Sequence, residues 1–245
     1  MKVKLLAHTQ LSDEFLEQVF PADLEGGLLN TDTTDGQIVA LSAIRNCYSH
    51  NKPSEIIDVE GDKYFNNKAT DGKGGSEADR LIRHITSSGH TSTLEHISFT
   101  FSVEDVSRAL LAQLTRHRVG FGYSVKSQRY VRLGSNDKSG GFDYVIPDKI
   151  EENEAAKEVF VNLMKQLQDT YDQLRQLKIP PEDARAILPN ATVCDIVMTV
   201  NLRALLDFYS KRKPGKGAQS EIAELAELLK DTVVEVEPWT RDFFE

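Results

Sequence analysis

Arginine, histidine, serine and aromatic residues crowd one stretch of the chain, LTRHRVGFGYSVKSQRYVRLG, residues 114–134. Arg116, His117 and Arg118 are consecutive, and Arg129 and Arg132 follow closely. Phe121, Tyr123, Tyr130, Ser124 and Ser127 lie among them. A guanidinium donates two parallel hydrogen bonds to a phosphate, and its plane stacks on a flat ring. The chemistry these residues suit is the holding of a phosphate-bearing, ring-containing anion. Arg185, Arg203 and Arg212 also sit near element ends or in strongly patterned surroundings. A solvated network of ion pairs with the 38 acidic residues is the alternative. Composition leaves both open, although the second does not explain why SQRYV follows RHR so closely.

Other chemistries find less support. The histidines stand at 8, 50, 84, 90, 96 and 117, without a His-x-x-x-His pair or a Cys/His set, so no metal site is expected. Cys47 and Cys194 lie in apolar patterns, where a buried, inert thiol is the expectation. Neither glycine-rich phosphate-loop pattern occurs, so a bound nucleotide would be held by arginines.

The chain has 245 residues, is 40% hydrophobic and carries a net charge of −9. That length and composition suit one sizeable core, and a single domain over 1–245 is expected. An acidic surface repels a nucleic-acid backbone, so no nucleic-acid partner is expected. No apolar run approaches the ~20 residues of a membrane span, and the first residues lack a signal-peptide pattern. The two cysteines suggest no disulfide framework. A cytoplasmic protein is the expectation.

The elements that must position the arginines follow from periodicity. Residues 2–8 predict an opening strand, and 36–49 a helix with Ile38, Leu41 and Ile44 on one face. Residues 66–75 are a polar loop. A helix over 76–90 opens on Ser76 and Asp79 as an N-cap pair and ends near Gly89. Residues 96–103 alternate, with Ile97, Phe99, Phe101 and Val103 to one side. The pattern of 104–118 predicts a helix with Val106, Leu110 and Leu114 on its buried stripe, which places Arg116–Arg118 at its C-terminal end. There three successive side chains would fan over roughly 200°. A short strand is predicted over 141–148, the longest helix over 148–177, and a brief helix between the prolines of 180–189. A strand over 190–200, a helix over 201–212 and a final amphipathic helix from 218 complete the order. The fold class is α+β, with helices packed against a mainly antiparallel sheet.

RHRVGFGYSVKSQRYV resembles the signature of flavin-dependent thymidylate synthases: Arg-His-Arg, a spacer, then Ser, one residue and Arg. Arg116, His117, Arg118, Ser127 and Arg129 fit it, with a spacer one residue longer than usual; the extra residue is placed in VGFG. GHTSTLEHISFTF, ARAILPNAT, TVNLRALLDFYSKR and AIRNCYS are similar to further segments of that family, in the same order. The resemblance implies reductive methylation of dUMP to dTMP. Methylenetetrahydrofolate gives the carbon and NADPH-reduced FAD the hydride, in a homotetramer whose active sites combine neighbouring subunits. It also implies why an acidic chain carries a basic knot: several anions share one pocket.

Residue by residue, the resemblance implies that Gln113, Arg116, Ser127, Gln128, Arg129, Arg185 and Arg212 contact dUMP, with Val125 through its backbone. It implies that Ser92, Arg116, His117, Arg118, Asn201, Arg203 and Asp207 contact FAD, with His90 and Glu95 as neighbours of the flavin. Arg212 and Ser127 carry the catalytic roles. Arg212 stabilises negative charge on the uracil ring, and Ser127 orients the nucleotide. Val125 stands where Gln or Glu is common, and Asp207 where Asn or His is common. KPGKG after Arg212 is longer and more basic than usual, so that Lys213 is a candidate to share the role of Arg212. Two other readings keep part of this chemistry: a flavin-dependent methyltransferase acting on uracil in RNA, and a nucleotide-binding regulatory module.

Overall fold

The computed structural model describes residues 1–19 and 33–245. Strand β1 (Lys2–His8) is followed by α1 (Asp13–Val19), α2 (Asp35–Tyr48), α3 (Ile56–Phe65) and α4 (Glu77–Ser87). A 3-10 turn (Thr91–His96) leads into β2 (Ser98–Ser107), α5 (Arg108–Leu114) and β3 (Phe121–Val125). Then come α6 (Asp148–Glu151), α7 (Glu154–Gln176) and α8 (Pro181–Ala184), the last continued by a 3-10 turn, Arg185–Ile187. Strand β4 (Val193–Asn201), α9 (Leu202–Arg212), α10 (Ser220–Val236) and a 3-10 segment (Pro238–Phe244) end the chain.

The strands form one antiparallel sheet in the order β1-β2-β4-β3. Alternation decides its faces. Phe99, Phe101 and Val103 of β2 and Ile196, Met198 and Val200 of β4 are buried. They share a core with Leu205 and Phe208 of α9 and Ile222, Leu225, Leu229 and Val233 of α10. On the opposite face Thr100 and Thr199 pair through their hydroxyls at 2.9 Å, and Val197 is exposed. A second cluster, of Ile38, Leu41, Ile56, Ile57, Tyr64, Phe65 and Ala78, joins α2, α3 and α4. The architecture is α+β, as the sequence predicts. Among the described residues no helix is long and apolar enough to cross a membrane.

Ser76 and Asp79 form the predicted capping box of α4. Four expectations need correction. The helix predicted over 104–118 opens as strand: β2 runs on to Ser107 through a bulge between Val103 and Val106, where Asp105 has φ 57°. Ser107 then caps α5, accepting from the Leu110 N–H at 3.0 Å, and its own N–H and hydroxyl donate to the Glu221 carboxylate at 2.7 and 2.6 Å. The buried Val106 that suggested a helical stripe is a strand residue pairing with Cys194. Residues 141–148 make only an isolated bridge, Tyr144 to Thr192, not a strand. The helix over 148–177 is broken after Glu151, because the Asn153 side chain accepts from the Ala156 N–H at 3.1 Å and restarts it as α7. Cys47 is exposed at the end of α2, whereas Cys194 is buried as expected.

Candidate active site

Arg116, His117 and Arg118 are not on a helix. Thr115 closes α5, and the three residues form the turn that leads into β3. They therefore do not fan around one axis. The turn lies along α9, against the face made by Asn201, Ala204, Phe208 and Arg212, residues three or four apart. At its far end the Gly120 carbonyl accepts from the Asn201 N–H at 3.1 Å. Gly120 has φ +74°, and a Cβ there would stand 2.6 Å from Ala204 Cβ, so both conformation and space demand glycine. Asn201 caps α9, accepting from the Ala204 N–H at 2.9 Å.

At the near end the His117 ring stands edge-on to Phe208, 5.0 Å between centroids, and tilted against Phe121 at 6.1 Å. Its Nε2 accepts from Arg212 Nε at 3.2 Å. Burial, then the charges of Arg212 and Lys211, then Arg116 hold the His117 pKa below the ordinary histidine value, with Asp207 opposing them. Asp207 is paired with Lys211 at 2.7 Å, so the anion at this family position is already compensated within α9. Tyr123 anchors the turn from β3: its hydroxyl donates to the carbonyls of Leu114 and His117 at 3.0 and 2.8 Å, and burial pushes its pKa up.

The 3-10 turn that carries Ser92 packs on the start of α9, and Arg203 is ion-paired with Glu95 of that turn. His90, just before it, shares a hydrogen bond through Nδ1 with the Tyr48 hydroxyl at 3.0 Å. Ser92, Arg116, His117, Arg118, Asn201, Arg203, Asp207 and Arg212 thus belong to α9 or to segments packed on it. Arg116 and Arg118 are exposed and have no carboxylate partner among the described residues. Two exposed guanidinium groups without carboxylate partners, on a turn packed along α9, suit a diphosphate. The residues present therefore suit the FAD that the resemblance implies.

Ser127, Gln128 and Arg129 stand at the other end of β3. Ser127 Oγ accepts from the Arg129 N–H at 3.2 Å. Arg129 Nε donates to Glu182 at 2.7 Å, and Arg185 Nε donates to the Glu182 carbonyl at 3.1 Å. Gln128 Nε2 is buried without a partner, beside a cleft lined by Ser127, Leu133, Phe142, Thr192 and Val193. The cleft measures about 170 Å³, less than the ~300–1,000 Å³ that usually encloses a ligand. The Val125 side chain packs against the core, which leaves only its backbone for a ligand.

Two residues lie apart from these groups. Gln113 donates to Gln219, ahead of α10, at 2.6 Å. Lys213 lies 5.6 Å from the Tyr209 ring, toward Glu227 of α10 rather than toward His117. It does not join Arg212 at His117. Glu182 and Tyr48 escaped the sequence reading. Glu182 is 53 positions from Arg129, and no local pattern connects them. AIRNCYS held the hint for Tyr48, without its partner. Burial raises the Cys194 thiol to about 11, so it stays protonated at neutral pH. Among the described residues no cluster of three or more His, Cys, Asp or Glu could hold a metal ion.

The model of the thymidylate synthase complementing protein family matches residues 28–239. The flavin-dependent thymidylate synthase of Geobacter sulfurreducens is 40% identical over 199 residues, 81% of this chain and 78% of that one. The Clostridium tetani enzyme of the same name is 32% identical over 223 residues, 84% and 81% of the two chains. Among solved structures, the UMP/dUMP methylase PolB of Streptomyces cacaoi, bound with 5-Br dUMP, superposes with a TM-score of 0.69 at 20% identity. The match covers 99% of this chain and 93% of PolB. Helicobacter pylori ThyX, complexed with FAD and dUMP, gives 0.65 at 22% identity, covering 100% and 98%. At these identities the two structures speak for the fold.

Proposed function

The chain belongs to the thymidylate synthase complementing protein family, and we propose from that membership that it methylates dUMP reductively to dTMP. Bound FAD, reduced by NADPH, supplies the hydride, and methylenetetrahydrofolate supplies the carbon. The observation that carries the reading is the pair of free arginines, Arg116 and Arg118, on a turn fitted along α9. With Ser92, His117, Asn201, Arg203 and Asp207 they hold FAD. Gln113, Ser127, Gln128, Arg129 and Arg185 hold dUMP, Val125 lends its backbone, and Arg116 touches both ligands. Arg212 faces the uracil ring, where a fixed cation stabilises negative charge on the ring.

The same geometry supports a homotetramer with shared sites. Four residue steps of β3 separate the two halves of the signature by about 13 Å. The two halves of the signature therefore do not lie side by side in one chain. A neighbouring subunit that brings its Ser127–Arg129 end to this chain's Arg116 completes the pocket. The protein works in the cytoplasm, one domain per subunit.

The purified protein is expected to be yellow, to bleach with NADPH, and to form dTMP once dUMP and methylenetetrahydrofolate are added. Light scattering is expected to give a tetramer. A colourless protein in the presence of FAD, or a monomer that turns over at full rate, would refute the respective part.

Ser127→Ala is expected to slow turnover about ten- to hundredfold without abolishing it, the size of one hydrogen bond to a charged group. Among the described residues Ser127 Oγ has no histidine or carboxylate beside it to take its proton; its partner is the Arg129 N–H. Steady-state kinetics with intact dUMP and FAD binding checks this. A dUMP adduct on Ser127 seen by mass spectrometry would reverse the assignment.

A further inference from the structure

Arg212 and His117 come from segments 95 positions apart, and the resemblance assigns one to dUMP and the other to FAD. Yet they touch: the Arg212 Nε–H donates to His117 Nε2 at 3.2 Å. An arginine side chain has many rotamers, and a free one costs entropy to fix. Here the Nε–H is engaged sideways, and both terminal nitrogens remain available to a ligand. The acceptor is itself fixed. Its ring is wedged edge-on against Phe208 and tilted on Phe121, and the backbone carbonyl of His117 is held by Tyr123. For Nε2 to accept, the ring must be neutral and carry its proton on Nδ1.

We propose that His117 is the positioning residue for Arg212: as the neutral Nδ1–H tautomer it holds the guanidinium by Nε and aims the two terminal nitrogens at the substrate ring. This role rests on the reading that Arg212 faces uracil. The surroundings keep the ring in the required form. From α9, Arg212 and Lys211 face it as cations and Asp207 as the one anion; from its own turn, Arg116 faces it as a cation. Phe208 and Phe121 bring no charge. A proton on His117 would remove the lone pair that Arg212 uses and set two cations against each other. Turnover therefore requires one deprotonated group, on the acid side of an ordinary histidine.

The test uses the FAD-loaded enzyme at saturating FAD and follows kcat for dTMP formation against pH. His117→Gln offers a carbonyl acceptor that does not titrate; His117→Phe keeps a ring against Phe208 but accepts nothing. The glutamine variant is expected to lose the acid limb of the profile and, at saturating FAD, to keep a higher kcat than the phenylalanine variant. The phenylalanine variant is expected to lose kcat about ten- to hundredfold at every pH, with dUMP KM changed far less. FAD affinity, measured separately by titration, identifies any loss of cofactor. If both variants match the wild type in kcat at saturating FAD, or if His117→Gln keeps the wild-type acid limb, the role is overturned. A wild-type enzyme that binds FAD and dUMP yet forms no dTMP overturns the substrate reading instead, and this role with it.

Discussion

Arg129→Ala will weaken dUMP binding about 30- to 1,000-fold and leave FAD affinity within about twofold. A charge-assisted contact between a guanidinium and a phosphate contributes on the order of 2–4 kcal/mol when it is truncated. The structure adds a competitor. In the free chain Arg129 is paired with Glu182 at 2.7 Å, and both side chains are about half exposed. Such a pair contributes only about 0–1 kcal/mol, so a dianionic phosphate displaces the carboxylate readily. Glu182→Gln should therefore bind dUMP as tightly as the wild type or slightly tighter. Titration of the flavin absorbance with dUMP measures both variants. An Arg129→Ala enzyme with wild-type affinity for dUMP would remove this residue from the substrate site.

Glu237→Ala will lower the stability by about 3–5 kcal/mol, or on the order of 10 °C in Tm for a chain of this length. The Glu237 side chain is almost completely buried. It accepts from the Thr34 hydroxyl and from Trp239 Nε1, the latter at 2.5 Å, and so ties the N-cap of α2 to the end of α10. Alanine leaves both donors unpaired and a cavity beside them. A Cβ on Gly36 would stand 2.4 Å from Glu237 Oε1, so Gly36→Ala disturbs the same carboxylate from the other side. Glu237 Oε1 and His8 Nδ1, 4.0 Å apart, are both buried without a hydrogen bond.

Burial raises the Glu237 pKa above the carboxylate value, against the bonds from Thr34 and Trp239. A carboxyl whose folded pKa is raised stabilises fully below its unfolded pKa and loses that contribution as pH climbs through the folded one. Glu237→Gln keeps the acceptor oxygen, removes the titration and places an N–H near His8. It is expected to melt no lower than the wild type at neutral pH and to show less loss of stability between acid and neutral pH. A Glu237→Gln protein as unstable as Glu237→Ala would mean that the charge itself holds the site.

Periodicity made much of this fold legible. The alternation through Phe99, Phe101 and Val103 and the helical spacing after Asn201 survive in the structure because a face of each is buried against the other. Residues 104–107 misled because a bulged strand running into a capped helix places Val106 and Leu110 four apart, as one helix would. Helix α3 has little sequence signal: Asp58, Gly61 and Asp62 weaken its propensity, and burial of Ile56, Ile57, Tyr64 and Phe65 outweighs that. Strand β3 has little signal as well, although Phe121, Tyr123 and Val125 alternate, because its glycines and serine resemble a loop. The signature arginines were visible as residues. Their partners were not: Glu182 for Arg129, His117 for Arg212 and Glu95 for Arg203 are pairings made by tertiary packing.

Strand β3 also determines where this protein tolerates a change of length. Its five residues pair one for one with Ile196–Val200 of β4, and each alternate side chain has a fixed side. One residue inserted within it would turn Tyr123 outward, release its hold on the His117 carbonyl and rotate Ser127 away from its own cleft. An insertion beside the exposed Val119, ahead of the fitted Gly120, falls outside the pairing with β4 and leaves the register of β3 untouched.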